Sequence, residues 1–99
     1  MVVQTPVEIG TLLYSRPDYQ DGRPCLAGTN TTVHTIAAHY LMGLSPEQIL
    51  EEFPRTDLPR IHAAIAYFLA NRETVMGELD QDRKDAERLA VELNSPRPN

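Results

Sequence analysis

The sequence holds one cysteine and no tryptophan in 99 residues. A single thiol cannot close an intrachain disulfide, which removes the small stapled scaffolds and fits a reducing, cytoplasmic setting. Basic residues are also scarce. Nine Lys and Arg stand against fourteen Asp and Glu, a formal charge of −5. Residues 1–45 carry +2 and −3, residues 46–72 carry +3 and −4, and residues 73–99 carry +4 and −7, so no segment is basic. This argues against strong nonspecific nucleic-acid binding, which takes most of its energy from phosphate neutralisation by Lys and Arg. It leaves room for a local Arg patch, particularly one doubled by dimerisation. Long hydrophobic runs are missing as well. The longest apolar stretch, Ile61–Ala70, includes His62 and is far too short to span a bilayer. The first ten residues have neither a basic start nor an apolar run, so no signal peptide is expected.

What is present is 41 % hydrophobic and 23 % charged, the composition of one globular domain with a single core. Leu12, Leu13 and Tyr14 suit a short strand. Pro17, Asp18, Asp21 and Gly22 supply turn chemistry, and Cys25 to Ala27 suits a returning strand. Two short strands are marginal alone and need a helical layer or a second subunit beneath them.

A first helix follows. Val33, Ile36, Ala37, Tyr40, Leu41 and Leu44 recur at helical spacing, Thr31 or Thr32 can cap the start, and Gly43 stands at the end. Ser45-Pro46-Glu47-Gln48 is a capping box with Pro at the first helical position, and Leu44 and Ile49 can staple across it. That second helix buries Ile49, Leu50 and Phe53 and stops at Pro54. A third starts behind the N-cap candidate Asp57, with Leu58, Ile61, Ile65, Phe68 and Leu69 as its buried stripe.

From Asn71 onward the apolar stripe thins. Val75, Met76, Leu79, Ala86, Leu89, Ala90 and Leu93 still recur near helical spacing, but Asp82 interrupts them and charge crowds between. The pattern predicts an amphipathic helix over 73–94 that packs on a partner through Val75, Met76, Leu79, Leu89 and Leu93, with Gly77 as a kink or break. The division is therefore 1–72 for hairpin and core, 73–94 for the C-terminal helix, and 95–99 for a disordered tail.

Two short helices and a longer one, with a Pro-marked turn before the last, make a helix-turn-helix pattern. In a DNA-binding version the third helix enters the major groove. Arg60 and His62 would then reach base edges, with Arg55 and Thr56 near phosphates. Arg60 is the sole Arg near the start of that helix, so the basis for specificity is narrow. No catalytic constellation stands out, and the chain is not expected to be an enzyme. Cys25 has only Arg23 to activate it and is expected to be buried. His34 and His39 are five apart and do not share a helix face, so neither a metal nor any other cofactor is expected.

The run Gly22-Arg23-Pro24-Cys25-Leu26-Ala27-Gly28-Thr29, with Val33 opening the first helix, resembles the bacterial domain-of-unknown-function family 433. So do Gly43-Leu44-Ser45-Pro46-Glu47-Gln48-Ile49-Leu50, Phe53-Pro54, and Leu58, Ile61, Ala63, Ala64, Ala66 and Tyr67. The resemblance covers roughly residues 9–72. It implies a mostly α fold: a short N-terminal β-hairpin, a homeodomain-like tri-helical core and a C-terminal amphipathic helix. It further implies an antitoxin-like, dimeric DNA-binding autoregulator of a type II toxin–antitoxin pair, whose C-terminal segment occupies a PIN-like ribonuclease. Ala27 and Asn30 stand where the family often carries basic residues. The rival expectation is a homodimeric interaction module without nucleic-acid binding.

Overall fold

The computed structural model describes residues 9–19 and 22–94. A short 3-10 turn, Ile9–Thr11, leads into β1 (Leu13–Tyr14), which pairs antiparallel with β2 (Cys25–Leu26) in the register Leu13↔Leu26, Tyr14↔Cys25. Four helices follow: α1 (Val33–Leu41), α2 (Pro46–Glu52), α3 (Leu58–Ala70) and α4 (Arg72–Asn94). The molecule is thus mostly helical with an N-terminal hairpin. Asp21, one residue of the expected hairpin turn, and the expected disordered tail 95–99 lie outside the described residues.

The helices α1, α2 and α3 each begin where a side chain satisfies an unpaired N–H group of the first turn. Thr32 Oγ1 accepts from Thr35 N at 3.2 Å. Ser45 Oγ accepts from Gln48 N at 3.2 Å while Gln48 Oε1 accepts from Ser45 N at 2.8 Å, which completes the capping box. Asp57 Oδ1 accepts from Arg60 N at 3.1 Å. After α1 the chain turns through Gly43 at φ 93°, a left-handed conformation that suits glycine.

The core forms where the faces of α1, α2 and α3 meet β2. Leu26, Val33, Ile36, Ile49, Ile61, Ala64 and Phe68 are fully buried there. Tyr40 sets its ring edge-on to Phe68 at 6.2 Å, joining the C-terminal ends of α1 and α3. Burial of one such aliphatic or aromatic side chain is worth about 1.5–3 kcal/mol, so this cluster is the main source of stability.

The expected kink or break at Gly77 does not occur. The chain breaks at Asn71, and Gly77 sits inside an uninterrupted α4. Asn71 Nδ2 donates to the Tyr67 carbonyl at 3.0 Å, and its backbone N–H reaches Tyr67 O at 2.9 Å and Phe68 O at 3.1 Å. One residue thereby satisfies carbonyls that a helix end leaves open, whereas glycine only lowers helix propensity by about 1 kcal/mol.

The first part of α4 belongs to the core. Val75 is 1 % exposed within the hydrophobic cluster and Leu79 packs against it. Of the five residues expected to meet a partner, these two pack into or against the chain's own core. Met76, Leu89 and Leu93 remain exposed.

Candidate functional site: the cleft beneath the hairpin loop and the arm of α4

The four residues expected at a nucleic-acid surface do not share one environment. Arg55 lies exposed in the turn between α2 and α3, and His62 is exposed on the first turns of α3. Among the described residues Arg55 has no ion-pair partner. Thr56 is half-buried, and its hydroxyl oxygen is buried without a hydrogen-bond partner among the described residues.

Arg60 faces the protein. Its Nη1 donates to Asp57 Oδ2 at 2.6 Å and its Nε donates to the Ala27 carbonyl at 3.1 Å. The guanidinium thus ties the hairpin loop to the start of α3. The loop is braced from its other side by Tyr14, whose hydroxyl donates to the Thr29 carbonyl at 2.6 Å. Gly28 in this loop has φ 78°, which a side chain would strain.

Held in this way, the loop Ala27–Thr31 stands apart from the turn Glu52–Thr56, and a cleft of about 930 Å³ opens between them with Tyr14 at its side. Phe53 and Pro54 contribute apolar lining, and Glu52 and Arg55 bring one charge of each sign. Glu52, like Arg55, has no ion-pair partner among the described residues. Sequence reasoning found the turn residues but missed the cleft, because the bond that builds it joins residues 33 positions apart.

A second polar cluster joins α4 to the rest. Arg23, just before β2, makes a bidentate pair with Asp82 at 2.7 and 3.0 Å, and its Nε lies 3.5 Å from Glu78. His34 Nε2 donates to the same Glu78 carboxylate at 3.2 Å. His34 is 3 % exposed and its Nδ1 has no hydrogen-bond partner among the described residues. The Arg23 hydrogen bond holds the Asp82 carboxyl below its ordinary range, with burial acting weakly in the opposite direction. Asp82, an interruption in the apolar stripe by sequence, is where the hairpin grips α4.

The remaining candidates have local roles. Cys25 is 1 % exposed, and burial pushes its thiol up, away from the reactive thiolate. His39 Nδ1 donates to the Thr35 carbonyl at 2.8 Å and its ring stands edge-on to Phe53 at 5.1 Å. Among the described residues no group of three His, Cys, Asp or Glu is placed to hold a metal, and no helix is long and apolar enough to cross a membrane.

Beyond Asp82 the helix leaves its own core as an arm. Leu89 is 55 % exposed, Val91 66 % and Leu93 76 %. Exposed pairs one turn apart stiffen it: Arg83 with Asp80 and Glu87, Lys84 with Asp80, and Arg88 with Asp85.

Comparison with known proteins agrees with this architecture. The uncharacterized protein y4eO of Sinorhizobium fredii (strain NBRC 101917 / NGR234) is 35 % identical over an alignment of 74 residues that covers 71 % of this chain and 34 % of that protein. The chain therefore spans about a third of the length of this curated relative. The 2.00 Å crystal structure of a DUF433 member protein from Anabaena variabilis ATCC 29413 superposes with a TM-score of 0.64 at 21 % identity, covering 71 % of this chain and 69 % of that one. It shows the same fold. Residues 15–68, more than half of the sequence, match the family described as protein of unknown function (DUF433), and the chain belongs to that family.

Proposed function

We propose that this chain is an antitoxin-like regulator in which a helix-turn-helix core contacts operator DNA and the arm of α4 holds a PIN-like ribonuclease. The observation that carries the reading is the division within α4. Its first half is locked to the core through Val75, Leu79 and Asp82, while Leu89 and Leu93 project uncovered. Leucines one turn apart on a protruding helix are the anchors of helix-in-groove recognition. Arg55 and His62 are the side chains open to DNA, with Arg60 setting the position of the helix that carries His62.

Co-expression with the neighbouring gene product tests the partner half. Removing 84–99 should abolish neutralisation and leave the core folded, and retained neutralisation refutes the role of the arm. Promoter binding tests the DNA half. It should fall steeply between about 50 and 200 mM salt and weaken on Arg55→Ala.

A second reading, a homodimeric interaction module without nucleic-acid binding, draws on the inward turn of Arg60 and the formal charge of −5. Promoter binding that is absent even at low salt would favour it.

A further inference from the structure

The cleft under the hairpin loop and the uncovered arm carry matching chemistry. The cleft is lined by the apolar Phe53 and Pro54, flanked in sequence by Glu52 and Arg55, neither of which has an ion-pair partner among the described residues. The arm offers Leu89 and Leu93 with Arg88 and Glu92 beside them, one charge of each sign and about 6 Å apart along the helix axis. Among the described residues Arg88 is held only by an exposed bond to Asp85 at 3.3 Å. Such a surface pair is worth little and exchanges readily.

The arm cannot reach the cleft of its own chain. It is the second half of one continuous helix, Arg72–Asn94, whose first half is fixed to the core by Val75 and by the Arg23–Asp82 pair. An unbroken helix does not reverse direction, and Leu89 and Leu93 are exposed as they stand. The occupant must come from another molecule.

We propose that the cleft of each chain receives the arm of a second copy, with Leu89 and Leu93 on Phe53 and Pro54, Glu92 facing Arg55 and Arg88 facing Glu52. A two-fold axis makes the exchange reciprocal: each copy gives one arm and receives one, and the assembly closes at two. Two such contacts act together, so each needs only modest strength on its own. The docked arm covers Arg55 and both leucines. Self-association therefore competes with the two contacts proposed above, to DNA and to a partner protein. The inference shares the arm with that reading but does not depend on it, because it concerns the chain alone.

Light scattering and sedimentation equilibrium on the purified full chain test it. The expected result is a dimer at micromolar concentration. Arg55→Glu and Glu92→Arg should each weaken the dimer at least about tenfold, the size of effect expected for about 1.4 kcal/mol, and the two together should restore it. Leu89→Asp, at an exposed position, should give a monomer of unchanged helix content by circular dichroism. A chain still monomeric at about 100 µM overturns the proposal. So does a dimer that survives Leu89→Asp, or a double charge exchange no stronger than its singles. The chain alone is measured, so the presence or absence of an operator or a ribonuclease does not affect the outcome.

Discussion

Arg60 Nε donates to the Ala27 carbonyl oxygen at 3.1 Å, binding the start of α3 to the hairpin loop. The same guanidinium reaches Asp57, the N-cap of its own helix, at 2.6 Å. One side chain thus secures a cap, a loop and a cleft wall.

Arg60→Ala should lower stability by about 1–3 kcal/mol in denaturant unfolding, since it strands a carbonyl that a charged donor satisfied. Arg60→Lys should recover only part, because an ammonium lacks the planar fork that serves two acceptors at once. A residue that only reads DNA would leave the unfolding midpoint where it was.

Val75 and Leu89 lie on the same helix but answer to different surfaces. Val75→Ala should cost about 1–3 kcal/mol, as it empties a site in the core. Leu89→Ala, measured at concentrations where the chain is monomeric, should stay within about 0.5 kcal/mol of the parent. Equal costs would mean that the arm packs on its own chain.

These two cases also mark what the sequence could disclose. The caps at Thr32, Ser45 and Asp57 were legible because each acts on an N–H three residues away. The apolar stripes of α1 and α3 were legible because helical periodicity is local. Arg60 to Ala27 and Arg23 to Asp82 join residues 33 and 59 positions apart, and no local pattern announces either. Arg60 in particular has the position of a base-reading residue by pattern, and only the fold shows its carbonyl partner. Val75 and Leu93 fall on one stripe, and the stripe does not say where the core beneath it ends.

Gly77 lies in the interior of α4, exposed, and a Cβ built there meets nothing within 4 Å. Gly77→Ala should therefore stabilise the chain by about 0.5–1 kcal/mol, by raising helix propensity and reducing the freedom of the unfolded chain. Thermal unfolding followed by circular dichroism checks it. A lowered midpoint would show that α4 needs a bend that alanine resists.

The pairing of Asp82 with Arg23 makes the attachment of α4 sensitive to acid. The hydrogen bond from Arg23 lowers the Asp82 carboxyl in the folded state relative to the unfolded chain. A depressed carboxyl contributes stability that is fully present above its unfolded value of about 3.9 and is lost as pH falls through the lower folded value. Glu78 and His34 face the same guanidinium or its partners, so the parent protein alone does not isolate Asp82. Comparison with Asp82→Asn does. At pH 7 the variant should be less stable by about 1 kcal/mol, a small figure because the Asp82 side chain is 45 % exposed and solvent screens the pair. In urea unfolding the difference should persist down to about pH 4 and shrink below it, as the parent's own carboxylate takes up its proton. A difference that stays constant to pH 2.5 would assign the Asp82 contribution to shape and packing, with the charge of the carboxylate playing no part.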